Sequence, residues 1–145
     1  MTVLVILAVI AVMASLVAFA GAMLRRHGGK PTVLRDDDRR LVTERWGQVE
    51  MKLQGGGPSQ IRQAIIDADT LVDHSMKRLG VSGDTMGERL RQAEGRFTDY
   101  DGLWKAHKVR NQLVHEMDRE VLSFEAKKII ARFQTALRDL GAIDA

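Results

Sequence analysis

Residues 3–24 form an unbroken apolar run apart from Ser15 and Gly21. As a helix this run is about 33 Å long, which matches a hydrocarbon core of about 30 Å. The pattern then changes. Val42, Trp46, Val49 and Leu53 recur at helical spacing on an otherwise charged segment, which predicts either a stalk or the first helix of a folded domain. Gly55, Gly56, Gly57 and Pro58 end that segment, and Pro58 with Ser59 can open the next helix.

Ile61, Ala64, Ile65, Ala68, Val72 and Leu79 keep a 3.6-residue period for about five turns, and Gly80 supplies a left-handed stop. Thr85, Met86, Gly87 and Glu88 read as a capping box for a short helix running to about Ala93, with Met86, Leu90 and Phe97 turned to the core. Leu103, Ala106, Val109, Leu113, Val114 and Met117 form the apolar side of the next helix, entered through Thr98, Asp99 and Asp101 and ending near Asp118. Ser123 is expected to cap the last helix, whose stripe runs Ala126, Ile129, Ile130, Phe133, Ala136, Leu137, Leu140 and stops at Gly141. Nothing reads as a strand. The expected fold is all-α: a single N-terminal transmembrane helix over residues 1–24, a juxtamembrane linker and stalk helix over 25–57, and a small antiparallel helical bundle over 58–145.

Charge sharpens this division, because all 41 charged residues (22 basic and 19 acidic) lie beyond Leu24. Arg25, Arg26, Lys30 and Arg35 follow the apolar run with no acid before Asp36. By the positive-inside rule the N-terminus faces out and the C-terminal domain is cytoplasmic, anchored in the lipid bilayer through residues 3–24. Ala18, Phe19 and Ala20 have the form of a signal-peptide cleavage site, but the basic n-region and shorter apolar core of such a peptide are missing. The chain has no cysteine, which excludes a disulfide framework, a thiolate nucleophile and cysteine-ligated zinc. Its net charge of +3 implies no nucleic-acid partner by itself, since much of the excess sits in the juxtamembrane block.

Candidate chemistry concentrates in residues 104–116. Arg110 falls on the apolar side of this helix, so its guanidinium demands a carboxylate, a phosphate or several carbonyls. Trp104, Lys108, Asn111 and His115 fall at i, i+4, i+7 and i+11 and form a second stripe on the flank, offering an aromatic face, a cation, an amide and an imidazole. His107, on the apolar side, reads as a satisfied boundary residue, and His74 as a surface or boundary one. Asp67, Asp69 and Asp73 on the preceding long helix read as a solvated face or as ion-pair partners rather than metal ligands.

The sequence Arg110, Asn111, Gln112, Leu113, Val114, His115 resembles the Arg-x4-6-His motif of the HEPN superfamily, including the polar residue after the arginine. The motif's place on the penultimate helix of a small all-α domain agrees. The resemblance implies a metal-independent endoribonuclease with no cofactor, acting as a homodimer through the 103–117 helix. Arg110 and His115 of both chains would then be catalytic, and Asn111, Lys108 and Trp104 would bind or orient the RNA. An imidazole and a guanidinium suit attack by the 2′-hydroxyl, one moving protons and the other steadying phosphorane charge. Five residues separate Arg110 from His115, about 140° of helical rotation, so a shared site needs a long arginine reach or the partner chain. Two other readings stand beside this one: a non-catalytic nucleotide-, RNA- or protein-binding module at the membrane, and a purely structural role in which Arg110 pairs with a carboxylate inside the bundle.

Overall fold

The computed structural model describes residues 33–116 and 119–144, together with Met13. Pro31–Ala145 form one compact unit. The run expected to cross the membrane, residues 3–24, lies outside the described residues except for Met13. Among the described residues no helix is long and apolar enough to span a bilayer.

The unit contains α1 (Asp36–Gly55), α2 (Pro58–Arg78), α3 (Met86–Gln92), a 3-10 turn (Glu94–Arg96), α4 (Tyr100–His115) and α5 (Ser123–Asp139), with no strand among the described residues. Asp36, Asp37 and Asp38 fill the first turn of α1, where the helix dipole favours negative charge. Val42, Trp46 and Val49 of α1 are buried in the common core, so this segment packs as the first helix of the domain. The compact unit therefore begins well before Pro58.

Pro58 occupies the first turn of α2, where its missing N–H goes unused. Gly80, at φ 69°, turns the chain out of α2 through the left-handed region. The capping box of α3 forms as its sequence predicts: the Thr85 hydroxyl accepts from the Glu88 amide at 3.2 Å, and the Glu88 carboxylate accepts from the Asp84 amide at 2.7 Å and the Thr85 amide at 3.4 Å. Asp99 caps α4 by accepting from the Gly102 amide at 3.0 Å. Two expectations are corrected. Ser123 is the first residue of α5 rather than its cap; Leu122 holds the cap position and offers no side-chain bond. The helix α4 stops at His115, earlier than Asp118, and Glu116 leaves it in extended conformation.

Side-chain pairs fix the helix directions. Arg78 bonds Asp38 at 2.9 Å and Lys52 bonds Asp67, so α1 and α2 run antiparallel. Arg62 reaches the end of α4 while Asp69 meets its middle, so α2 and α4 are antiparallel too. The helix α2 packs against every other helix of the unit. Its Ile65, Val72 and Met76 meet Leu90, Leu103, Leu113, Phe133 and Leu137 in a core where all eight side chains are fully buried. Val114 departs from its apolar-side assignment: it is 46 % exposed.

One buried ion pair locks α3 onto α2. Arg89 is 5 % exposed; its Nε donates to Asp73 at 2.7 Å, and its Nη1 donates to the Gly83 carbonyl. Burial alone would raise the Asp73 pKa, but hydrogen bonds from Arg89 and Lys77 outweigh it and hold the carboxyl below its usual 3.8. A lowered folded value gives stability that is present above 3.8 and lost as pH falls through the folded value. Asp73→Asn, which strands Arg89, should cost about 3 kcal/mol at neutral pH. Urea unfolding should show this gap closing as the pH is lowered below the usual carboxylate range; a gap independent of pH would refute the assignment.

Candidate functional site

Near the middle of α2, Asp69 is 2 % exposed and directed at α4. A carboxylate removed from water needs compensation for its lost hydration, and α4 supplies part of it. His107 Nδ1 lies 2.8 Å from Asp69 Oδ1, and Arg110 Nε lies 3.1 Å from Oδ2. The Nε–H is not aimed at that oxygen, so this contact is an ion pair without a formed hydrogen bond. Asn111 closes the arrangement, with its amide nitrogen 3.1 Å from His107 Nε2 and its oxygen accepting from Arg110 Nη1 at 3.0 Å. His107, Arg110 and Asn111 stand at i, i+3 and i+4, the spacing that puts side chains on one helical face.

The donor inventory fixes every orientation in this ring. Arginine only donates, so Asn111 must turn its oxygen to Arg110 and its NH2 to the imidazole. His107 Nε2 is then the acceptor, and Nδ1–H donates to Asp69. Burial pushes the Asp69 carboxyl up; the His107 bond and the charges of His107 and Arg110 pull against that without overcoming it, and the Asp73 charge adds to the rise.

The other candidate residues are placed differently. Trp104 is half-buried, its ring 6.2 Å from that of Tyr100 and 5.9 Å from that of His107, with the Arg91 guanidinium 5.8 Å away. Gly87 leaves it room, since a Cβ there would stand 3.4 Å from the indole. Lys108 is exposed. His115, the last residue of α4, is exposed, and its side chain makes no hydrogen bond to another described residue. The structure thus joins Asn111 and Arg110, leaves Lys108 and His115 open on the flank, and places no hydrogen bond between Arg110 and His115. Asp67, Asp69 and Asp73 turn to separate partners, Lys52, His107 and Arg89. Among the described residues no group of three or more His, Asp and Glu side chains is arranged to hold a metal.

The end of α4 is held from α2. Arg62 donates to the Leu113 carbonyl, to the Glu116 carbonyl at 2.9 Å and to the Arg119 carbonyl at 3.5 Å. Arg62 was not among the sequence candidates, and Asp69 was read only as one of three aspartates on a solvated face or in ion pairs, the second of which the structure shows. For Asp69 the signal existed: it stands four residues after Ile65 and three before Val72, on the apolar stripe itself. The fold and site define an all-α bundle with an interior Asp-His-Asn-Arg network. Comparison with protein-family models, with characterised proteins and with solved structures found no match to this chain.

Asp69 and Asp73 should impose opposite pH slopes. A raised folded pKa gives stability that is full below the ordinary carboxylate value of 3.8 and is lost as pH rises through the folded value. The stability of the natural chain relative to Asp69→Asn should therefore be greatest in acid and decline as the pH rises, read by denaturant unfolding. A difference that grows with pH would show the ionised carboxylate to be favoured in the fold.

Proposed function

We propose that this chain is a membrane-tethered, HEPN-like helical module that binds RNA without cutting it. The flank of α4 bearing Trp104, Lys108, Asn111 and His115 would be the binding face. One observation carries this choice: Arg110 is committed to Asp69 and Asn111 inside its own bundle and shares no bond with His115. A guanidinium neutralised by a buried carboxylate is a poor stabiliser of charge developing on a phosphorane. The exposed cation, the exposed imidazole and the half-exposed indole of the same flank suit phosphate and base contacts. The half-exposed Val114 supports homodimerisation through the 103–117 helix. The apolar run of residues 3–24 and the basic block after it support a single membrane pass with a cytoplasmic bundle.

The test uses the full chain in mild detergent, with chelator and labelled single-stranded RNA. Binding should be salt-dependent, and Lys108→Ala should lower the slope of log affinity against log salt by about 1. No product with a 2′,3′-cyclic phosphate should form. Absence of RNA binding refutes this function, and a stoichiometric protein retained in its place would favour a protein-binding module. The open position of His115 favours one second reading, a metal-independent ribonuclease assembled by two copies. Chelator-resistant cleavage that is abolished by His115→Ala would establish it.

Topology has its own test, because the chain lacks cysteine. In cells, Thr2→Cys should react with an impermeant maleimide from outside, and Ser59→Cys only after permeabilisation. The reverse pattern would place the bundle outside.

A further inference from the structure

The Asp69, His107, Asn111 and Arg110 ring has a hydrogen-bond polarity that only one state of the imidazole satisfies. With His107 neutral, each of the ring's three hydrogen bonds pairs a donor with an acceptor: Arg110 to Asn111, Asn111 to His107, His107 to Asp69. Placing a second proton on His107, at Nε2, sets that N–H against the Asn111 NH2 at 3.1 Å. The conflict is relieved by rotating the Asn111 amide so that its oxygen accepts from Nε2. The amide nitrogen then faces Arg110 Nη1, donor against donor, and the bond holding the guanidinium is lost.

Charge acts in the same direction. With His107 protonated, Asp69 would face two cations, and an imidazolium bonded at 2.8 Å takes over the compensation that Arg110 now gives at 3.1 Å without a directed hydrogen bond. Arg110 is also the ring member able to leave, its side chain 28 % exposed while those of Asp69 and His107 are 3 % and 9 % exposed. The other charges around His107 are fixed. Asp73 lies beyond Asp69 on α2 and is held by Arg89 of α3 and by Lys77. Arg91 of α3 rests over the Trp104 ring that borders the imidazole. No charged side chain of α5 bonds to the four residues.

We propose that His107 gates Arg110: the neutral imidazole holds the guanidinium inside the ring, and the imidazolium releases it to bind an external oxyanion of the sulfate or phosphate class. The gate follows from the ring and does not depend on RNA being the ligand. Linkage makes it reciprocal, so an oxyanion on Arg110 draws a proton onto His107.

The experiment uses the full chain in detergent with 15N-labelled histidine and arginine. On the alkaline side of its titration the His107 resonances should report a proton on Nδ1 and a bare Nε2. As the ring titrates, the Arg110 side-chain resonances should move with the same midpoint, and added sulfate should raise that midpoint. Sulfate is the probe because its charge is constant over the range of about pH 5 to pH 8 in which histidine titrates. Sulfate affinity should be about tenfold higher on the acid side, a change of about 1.4 kcal/mol. His107→Gln should bind sulfate without this pH dependence. A neutral imidazole carrying its proton on Nε2, or Arg110 resonances indifferent to His107 titration, overturns the gate. Both measurements are made on the unaltered chain, so they decide the matter even if the Gln variant fails to fold.

Discussion

A single carboxylate placed in the interior sets the terms for the middle of this bundle. Asp69 sits on the helix that touches all the others, so its charge cannot be moved to solvent without pulling α2 out of the core. The residues that answer it all come from one face of α4, and this dictates how α4 may be rotated. Turning that helix by one residue would carry His107 away from Asp69 and bring Ala106 or Lys108 in its place. Apolar packing is tolerant of such shifts, whereas a buried charge is not, so the polar ring selects one register among several that the core could fill.

The helices were largely legible because each carries its own punctuation. Gly80 and Gly141 both adopt the left-handed conformation at the ends predicted for them, and the Thr85 and Glu88 pair closes the short helix α3. Where punctuation came from another helix, the sequence was silent. The helix α4 has no glycine stop, and its end is set by Arg62 reaching across from α2. Ser123 shows the converse: a residue of capping type one position too late, past a turn that ends in Leu122.

The site was legible as composition and not as connectivity. A helical wheel puts Arg110 on the apolar side and demands a partner for it, but the wheel holds no information on which of three aspartates across the groove will meet it. Asp67 and Asp73 have the same side chain as Asp69 and differ only in azimuth on α2, one facing α1 and the other α3. His107 was legible as a satisfied histidine, yet its satisfaction by Asn111 links it to the very arginine that looked out of place. The residues with open side chains, Lys108 and His115, lie where the flank stripe put them, whereas Trp104 and Asn111 of the same stripe are half-buried and Val114 of the apolar side is exposed.

Arg62 gives the end of α4 an unusual dependence. Most helices carry the instruction to stop within a few residues of where they stop, so their length is a local property. Here three carbonyls at the C-terminal end of α4 and beyond are collected by a guanidinium more than fifty positions earlier in the chain. The exposed His115 occupies the last helical position, so its place in space is inherited from α2 as much as from its own turn. Any change in the first turns of α2 that displaces Arg62 would move the terminus of a different helix and the imidazole it displays.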